Sequence, residues 1–335
     1  MKHFLQGTLL VAFGLVIGVA CAEVAVRVFA PYSRDHVVPP GMFAIDTALG
    51  WRLDPGYTGT HHTRYFDVVY SINSLGFRDR ERTPSLSDST RRLLLFGDSH
   101  IFGWGVPLGQ RFSDVAEASE RQLDIWNMAV PGYGLDQEVV AYAKRSADIP
   151  ANGAVFFVSK ATLSRMLYGT LYRKTKPRFA VDAAGHAALI PPKAGSTVIT
   201  DGLYRMLSPL YLPYFIEAQL GRLTRAAERG EATRSDVPVD SATMLLAKAA
   251  LLYAAETAKK RGHEIFVIAS LPDESAQDLQ QFAQANGMTF MSTRWAAPPV
   301  DLMFGETDHH WIPELHGELG RRFAPILSRQ PVSTM

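Results

Sequence analysis

The chain has 335 residues, 47% of them hydrophobic and 20% charged, and its 34 Lys and Arg nearly balance 33 Asp and Glu. This is a globular composition without a dominant field, which argues against a nucleic-acid or other polyanion partner. At this length a core needs no metal or disulfide staple, and the single cysteine, Cys21, excludes an intrachain disulfide, a paired-cysteine redox motif and a cysteine-rich zinc site.

From Phe4 to Ala22 only Gln6 and Thr8 interrupt an apolar run, with Lys2 before it and Glu23 and Arg27 after it. Such a run matches one membrane crossing, so residues 1–28 are read as an N-terminal transmembrane anchor or signal segment. With Lys2 held in the cytoplasm, the remainder lies outside it, in the periplasm or cell envelope. Two processed forms compete with the anchor: cleavage at Ala20-Cys21-Ala22 with secretion, and a lipoprotein modified at Cys21, which Gly18 disfavours by standing where a larger aliphatic residue is usual. The bland alternative is a buried core helix.

Residues 29–88 are punctuated by Pro31, Pro39, Pro40, Gly41, Pro55, Gly56, Gly59 and Pro84, and read as an irregular extension packing on the main domain. Within it, Tyr65 to Ile72 has strand composition and Asn73 to Arg78 forms the turn that ends it. The domain proper is expected over residues 89–330. From Arg91 short apolar runs alternate with helical periods, the pattern of a parallel sheet covered by helices. Strands are predicted at Leu93–Phe96, Ile125–Met128, Ala154–Val158, Ile265–Ala269 and Thr289–Met291. Helices are predicted at Phe112–Leu123, Gln137–Arg145, Ser241–Arg261, Ser275–Ala285 and Pro313–Leu327, the third capped by Asp240 or Ser241 and stopped by Gly262. The rhythm fails at about 163–240, where prolines and aromatics such as Tyr168, Tyr172, Tyr204, Tyr211, Tyr214 and Phe215 point to an insertion, and 225–240 reads as a solvated, mobile stretch. No internal repeat is present.

Ligands bind outside the carboxyl ends of parallel strands, so the loops there carry the chemistry. The first reads Gly97-Asp98-Ser99-His100. A serine at the entry of a helix after a buried strand can attack a carbonyl while its own N–H faces the oxyanion, although a plain N-cap is the competing reading. It lacks the second glycine of the Gly-x-Ser-x-Gly elbow. Far along the chain, Glu306-Thr307-Asp308-His309-His310-Trp311 brings an imidazole and a carboxylate into one loop, the two helpers a serine hydroxyl needs. Two adjacent histidines point apart from a loop, so no metal is expected, and no cofactor either.

Together these segments resemble the SGNH, or GDSL-type, serine hydrolases. Leu93 to His100 is similar to that family's first block and the late Asp-x-His to its last; Gly132, in Asn127 to Gly134, falls where the second block supplies an oxyanion N–H. Asn73 to Arg78 and Gly103 to Val106 also look like the membrane-anchored bacterial branch. The resemblance spans residues 65–327 and implies a flavodoxin-like three-layer αβα sandwich with a parallel sheet, preceded by the membrane helix. It further implies Ser99 as nucleophile, and Ser99 and Gly132 as oxyanion-hole amides.

Two departures stand out. The third block normally carries an asparagine, whereas this chain reads Val158-Ser159-Lys160-Ala161-Thr162, leaving Ser159, Lys160 or Thr162 as substitutes. The usual spacing of acid and base is met by Glu306 with His309, yet Asp308 with His310 is favoured because Asp-x-His-Trp resembles the triad segment of alginate O-acetylation proteins. Trp311 is read as packing or sugar-stacking, His100 as lining the pocket, His316 as part of the closing helix, and His61 and His62 as lacking an identifiable partner. The expected activity is removal of a short acyl, acetyl-like group from a carbohydrate or other envelope ester. The alternatives are a polysaccharide O-acetyltransferase using the same serine and a non-catalytic SGNH-like binding or assembly protein.

Overall fold

The computed structural model describes residues 2–31, 38–172, 174–181, 187–193, 210–213, 215, 216, 219, 239–305 and 308–329. Two compact units emerge: one of Met1–Pro40, His62–Arg64 and Thr197–Glu231, the other of Gly41–His61, Tyr65–Ser196 and Ala232–Met335. Tyr204, Tyr214 and the stretch expected to be solvated, apart from Val239 and Asp240, lie outside the described residues.

In the first unit, helix α1 (Lys2–Phe29) leaves most of its described apolar side chains exposed, with Val26 buried, and Gln6–Phe29 is long and apolar enough to cross a membrane. Near its end the Glu23 carboxylate accepts from the backbone N–H of Tyr211 (2.9 Å) and Leu212 (2.8 Å), while Arg27 donates to Glu23 at 2.7 Å and lies over the Tyr211 ring. A carboxylate that accepts several N–H bonds ties the insertion to the helix end.

The second unit begins with four short strands, of which the sequence signalled the last, within Tyr65 to Ile72, and not the other three. β1 (Phe43–Asp46) and β2 (Gly50–Leu53) form an antiparallel hairpin, and β3 (Thr58–His62) pairs with β4 (Asp67–Ser71). The extension is thus not irregular as expected; its prolines lie outside the strands, Gly50 and Gly59 are strand residues, and alternating buried residues in β4 make a half-buried strand. Then come β5 (Arg91–Phe96), α2 (Ser99–Phe102), α3 (Phe112–Ser119), β6 (Leu123–Asn127), α4 (Leu135–Arg145), β7 (Gly153–Ser159) and α5 (Lys160–Ser164). Small hairpins β8–β9 (Thr170–Leu171, Lys174–Thr175) and β10–β11 (Arg178–Val181, Ala187–Ile190) occupy part of the insertion. The unit closes with α6 (Ser241–Arg261), β12 (Glu264–Ser270), α7 (Asp273–Ala285), β13 (Thr289–Ser292) and α8 (Pro313–Leu327).

Five of these strands make one parallel sheet in the order β13-β12-β7-β5-β6. β5 and β7 are buried at every position, as strands covered on both faces must be. Helices flank the sheet in two groups, α3 with α8 and α4 with α6. The long α6 forms where expected because Asp240 accepts from the Thr243 N–H at 2.8 Å and Gly262 (φ 68°) ends it after three basic residues. Parallel strands put all carboxyl ends on one edge, which places the loops after Phe96, Asn127 and Ser159 side by side.

Candidate active site

The site starts at a turn that only glycine fits. After β5 the chain reverses so sharply into α2 that a Cβ on Gly97 would lie 2.6 Å from Ile101. Asp98 caps α2, its carboxylate accepting from the His100 N–H at 3.0 Å, and Ser99 becomes the first helical residue. A first-turn amide has no acceptor inside its own helix, so the Ser99 N–H is left for a ligand. The turn following α2 is held from below by Arg78, which donates to the carbonyls of Phe102 (3.0 Å), Gly103 (2.6 Å) and Val106 (2.5 Å), and by the Tyr70 hydroxyl, which accepts from Gly105 at 2.9 Å. Asn73 organises the Asn73–Arg78 turn by accepting from the N–H groups of Leu75 (3.1 Å) and Phe77 (2.9 Å).

The partner of Ser99 arrives from the other end of the chain. A tight loop before α8, closed by a bridge between Met303 and Trp311 and by Phe304 N–H donating to the His310 carbonyl at 3.1 Å, projects His310 over the end of β5. His310 Nε2 is 2.8 Å from Ser99 Oγ, and His310 Nδ1 is 2.6 Å from Asp308 Oδ1. The Asp308 carboxylate also accepts from the His310 backbone N–H at 3.1 Å, so Nδ1 carries the proton and Nε2 presents a lone pair to the hydroxyl. Burial lowers the His310 pKa, the nearby His100 lowers it further, and Asp308 opposes both. Although burial works to raise the Asp308 carboxyl, hydrogen bonds from His310 hold it below its ordinary value. The imidazole is stacked on Trp104 (centroids 5.3 Å apart) and has His100 at 5.2 Å.

Of the other expected residues, Gly132 lies on the adjacent loop, in the left-handed conformation (φ 84°), where a Cβ would meet Tyr172 Cε2 at 2.8 Å. No acceptor is seen for its N–H among the described residues. Ser159 and Thr162 cap α5 reciprocally: Ser159 Oγ accepts from Thr162 N–H at 3.2 Å, and Thr162 Oγ1 accepts from Ser159 N–H at 2.8 Å. Lys160, next to them, is half-buried. His309 is exposed, and its expected partner Glu306 lies outside the described residues. Trp311 is buried against Phe157 and His316, which is core packing. His316 is sealed in the core, where Nδ1 accepts from the Phe112 N–H at 3.0 Å and burial pushes its pKa down to about 3. His61, for which no partner was legible, meets the Tyr70 hydroxyl at 3.2 Å. Among the described residues no group of three or more His, Cys, Asp or Glu is placed to hold a metal ion.

Sequence reasoning passed over Arg165, whose Nη1 donates to Asp98 Oδ2 at 2.8 Å and to the Tyr133 carbonyl at 2.9 Å. It also passed over Trp51 and named Tyr172 only as one aromatic of the insertion, whereas the two rings meet edge to face beside Gly132 with centroids 5.7 Å apart. No motif marks them; only the left-handed Tyr172 (φ 49°) is unusual, and that is a property of the folded chain.

No protein-family model and no curated protein matches the chain. Similar solved structures include a crystal structure of TesA (12% identity, TM-score 0.42, 71% of this chain and 98% of that one). Another is a member of the lipolytic protein G-D-S-L family from Veillonella parvula (10%, TM-score 0.40, 72% and 100%). A third is a variant of an acetyl-xylooligosaccharide esterase from Geobacillus Stearmophilus (14%, TM-score 0.39, 72% and 96%). The five-stranded parallel sheet flanked by helices, with its Gly-Asp-Ser turn at the carboxyl end of β5, is consistent with the SGNH hydrolase fold that the motifs resemble.

Proposed function

We propose that the protein is a serine ester hydrolase that forms an acyl-enzyme on Ser99. The observation that carries this reading is the continuous relay from Ser99 Oγ through His310 to Asp308, at 2.8 and 2.6 Å. A hydroxyl hydrogen-bonded to a neutral imidazole whose tautomer is set by a carboxylate is an activated nucleophile. His310 Nε2 takes the Ser99 proton as Oγ bonds to the ester carbonyl carbon, and the N–H groups of Ser99 and Gly132 receive the oxyanion. The tetrahedral intermediate collapses, the C–O bond to the leaving alcohol breaks, and His310 returns the proton to that oxygen. Water then attacks the acyl-enzyme with His310 again as base, releasing the acid and restoring Ser99.

The substrate we infer is a short acyl ester of a carbohydrate. Two features support it: the half-exposed Tyr172 ring beside Gly132 offers an apolar face of the kind sugars stack on, and Tyr172 and Trp51 crowd the space next to the oxyanion glycine. The apolar α1 supports a membrane-tethered enzyme, with the sheet domain in the periplasm or cell envelope as its proposed place.

A fluorophosphonate probe tests the reading directly. The parent should be labelled and Ser99→Ala should not, and the parent should release acetate from acetylated oligosaccharides at a rate that falls by about 10⁴-fold or more in Ser99→Ala. An added oligosaccharide that diverts the acetyl group from water would identify a transferase on the same serine. A folded parent that neither labels nor hydrolyses would make the chain a binding or assembly protein on a hydrolase scaffold.

A further inference from the structure

The two amides assigned to the oxyanion lie on separate loops, Ser99 after β5 and Gly132 after β6, so their separation has to be set by something that spans both. One backbone bond does part of this, Val130 N–H donating to the Gly97 carbonyl at 3.0 Å. The larger tie comes from a third loop. Arg165 follows α5, at the carboxyl end of β7, and its Nη1 reaches both Asp98 Oδ2 (2.8 Å) and the Tyr133 carbonyl (2.9 Å). Asp98 immediately precedes Ser99 and Tyr133 immediately follows Gly132. The guanidinium therefore grips one loop next to each amide.

The surroundings make the grip rigid. Asp98 is fully buried, and its other oxygen, Oδ1, accepts from the His100 N–H at 3.0 Å and faces His100 Nδ1 at 3.1 Å, so both carboxylate oxygens are committed. Gly134 permits the approach, since a Cβ there would sit 3.1 Å from Arg165 Cβ. Tyr172 closes the space over Gly132, where a Cβ would meet its Cε2 at 2.8 Å. The side chains of Ser159 and Thr162, from the same β7 loop, are occupied in capping α5 and leave this role to Arg165.

We propose that Arg165 is a positioning residue of the oxyanion hole, holding the Ser99 and Gly132 amides at a fixed separation from the loop in which the resembled family carries a side-chain donor. The inference rests on the ester-hydrolase reading above. A planar guanidinium can hold two acceptors in fixed directions, whereas an ammonium is a point charge on a flexible stem, so Lys at this position keeps the charge and loses the geometry. Oxyanion donors act only when aimed in advance at the developing charge, and small displacements are costly.

The test compares the full chain with Arg165→Lys and Arg165→Gln, measuring kcat and KM on an acetylated oligosaccharide, the pH profile, and the melting temperature. The expected result is a kcat lower by about 10- to 100-fold in both variants, with KM within about two-fold and the acidic limb of the profile unmoved, because the His310–Asp308 pair is untouched. Added guanidinium ion should restore part of kcat in Arg165→Gln. The proposal is overturned if either folded variant keeps kcat within two-fold of the parent, if the loss lies wholly in KM or shifts the acidic limb, or if neither variant folds, which would make Arg165 a purely structural tie. An inactive parent that the fluorophosphonate probe also fails to label would instead bring down the hydrolase reading, and this one with it.

Discussion

His310 is the residue on which the proposed chemistry turns, and burial together with the residues around it decides its protonation. Burial and His100 favour the neutral ring while Asp308 favours the charged one, and the balance falls on the neutral side. A general base must be unprotonated, so kcat/KM should rise with pH through a half-point below 6.5, the ordinary value for the group. A half-point above 7 in the pH profile would contradict the geometry. Asp308→Asn leaves the ring without the acceptor that fixes its tautomer, and kcat should fall by about 10⁴-fold, while His309→Ala should leave it unchanged. Steady-state kinetics of the two variants separate these roles. At this scale the sequence was informative about identity but silent about partners: Asp308, His309 and His310 are adjacent letters, and only the closed loop from Met303 to Trp311 turns one imidazole toward Ser99 and the other to solvent.

α4 shows how an element can bury a group that its own periodicity does not explain. Its first turn carries Asp136, Gln137 and Glu138, all completely buried. Asp136 pairs with the buried Lys176, and Gln137 donates to the Leu49 carbonyl at 2.8 Å. Neither Glu138 oxygen has a hydrogen-bond partner among the described residues, and burial, reinforced by Asp98, pushes its carboxyl well above the ordinary range. The folded state thus holds a proton that the unfolded chain releases once pH exceeds the ordinary carboxyl value, so Glu138 contributes a penalty that grows as pH rises through that window. Replacing it with Met should stabilise the protein by about 1 kcal/mol or more at pH 8, with the gain shrinking as pH falls toward 4. Urea denaturation at the two pH values would show it, and a gain independent of pH would refute the argument. Acidic residues opening a helix read as a solvated, dipole-favouring turn; nothing local says that Lys176 and the Leu49 carbonyl will meet this turn in the interior.

For the molecule as a whole, the sheet domain and the apolar α1 make different demands on solvent. A helix of 28 residues with most of its described apolar side chains exposed is out of place in water, so the full chain should partition with lipid vesicles and stay there in high salt, while a variant lacking residues 1–28 should remain in the supernatant. Flotation of the two forms checks this. The parallel sheet, by contrast, was legible because each buried strand is a short apolar run and each helix a longer periodic one, patterns that follow from local geometry and the need to cover both faces. Helix α6 was even bounded correctly, since its Asp240 cap and Gly262 stop are local signals. By itself the sequence determined the alternation of strands and helices, the apolar N-terminal run and the motif positions of Ser99 and Gly132, and it offered Asp308 with His310 beside Glu306 with His309. Only the tertiary structure decided which imidazole meets the serine, that Ser159 and Thr162 are spent on a cap, and that Arg165 spans two loops. Those are contacts between segments far apart in the chain, 211 positions in the case of Ser99 and His310, and such contacts exist only once the sheet has set its strands side by side.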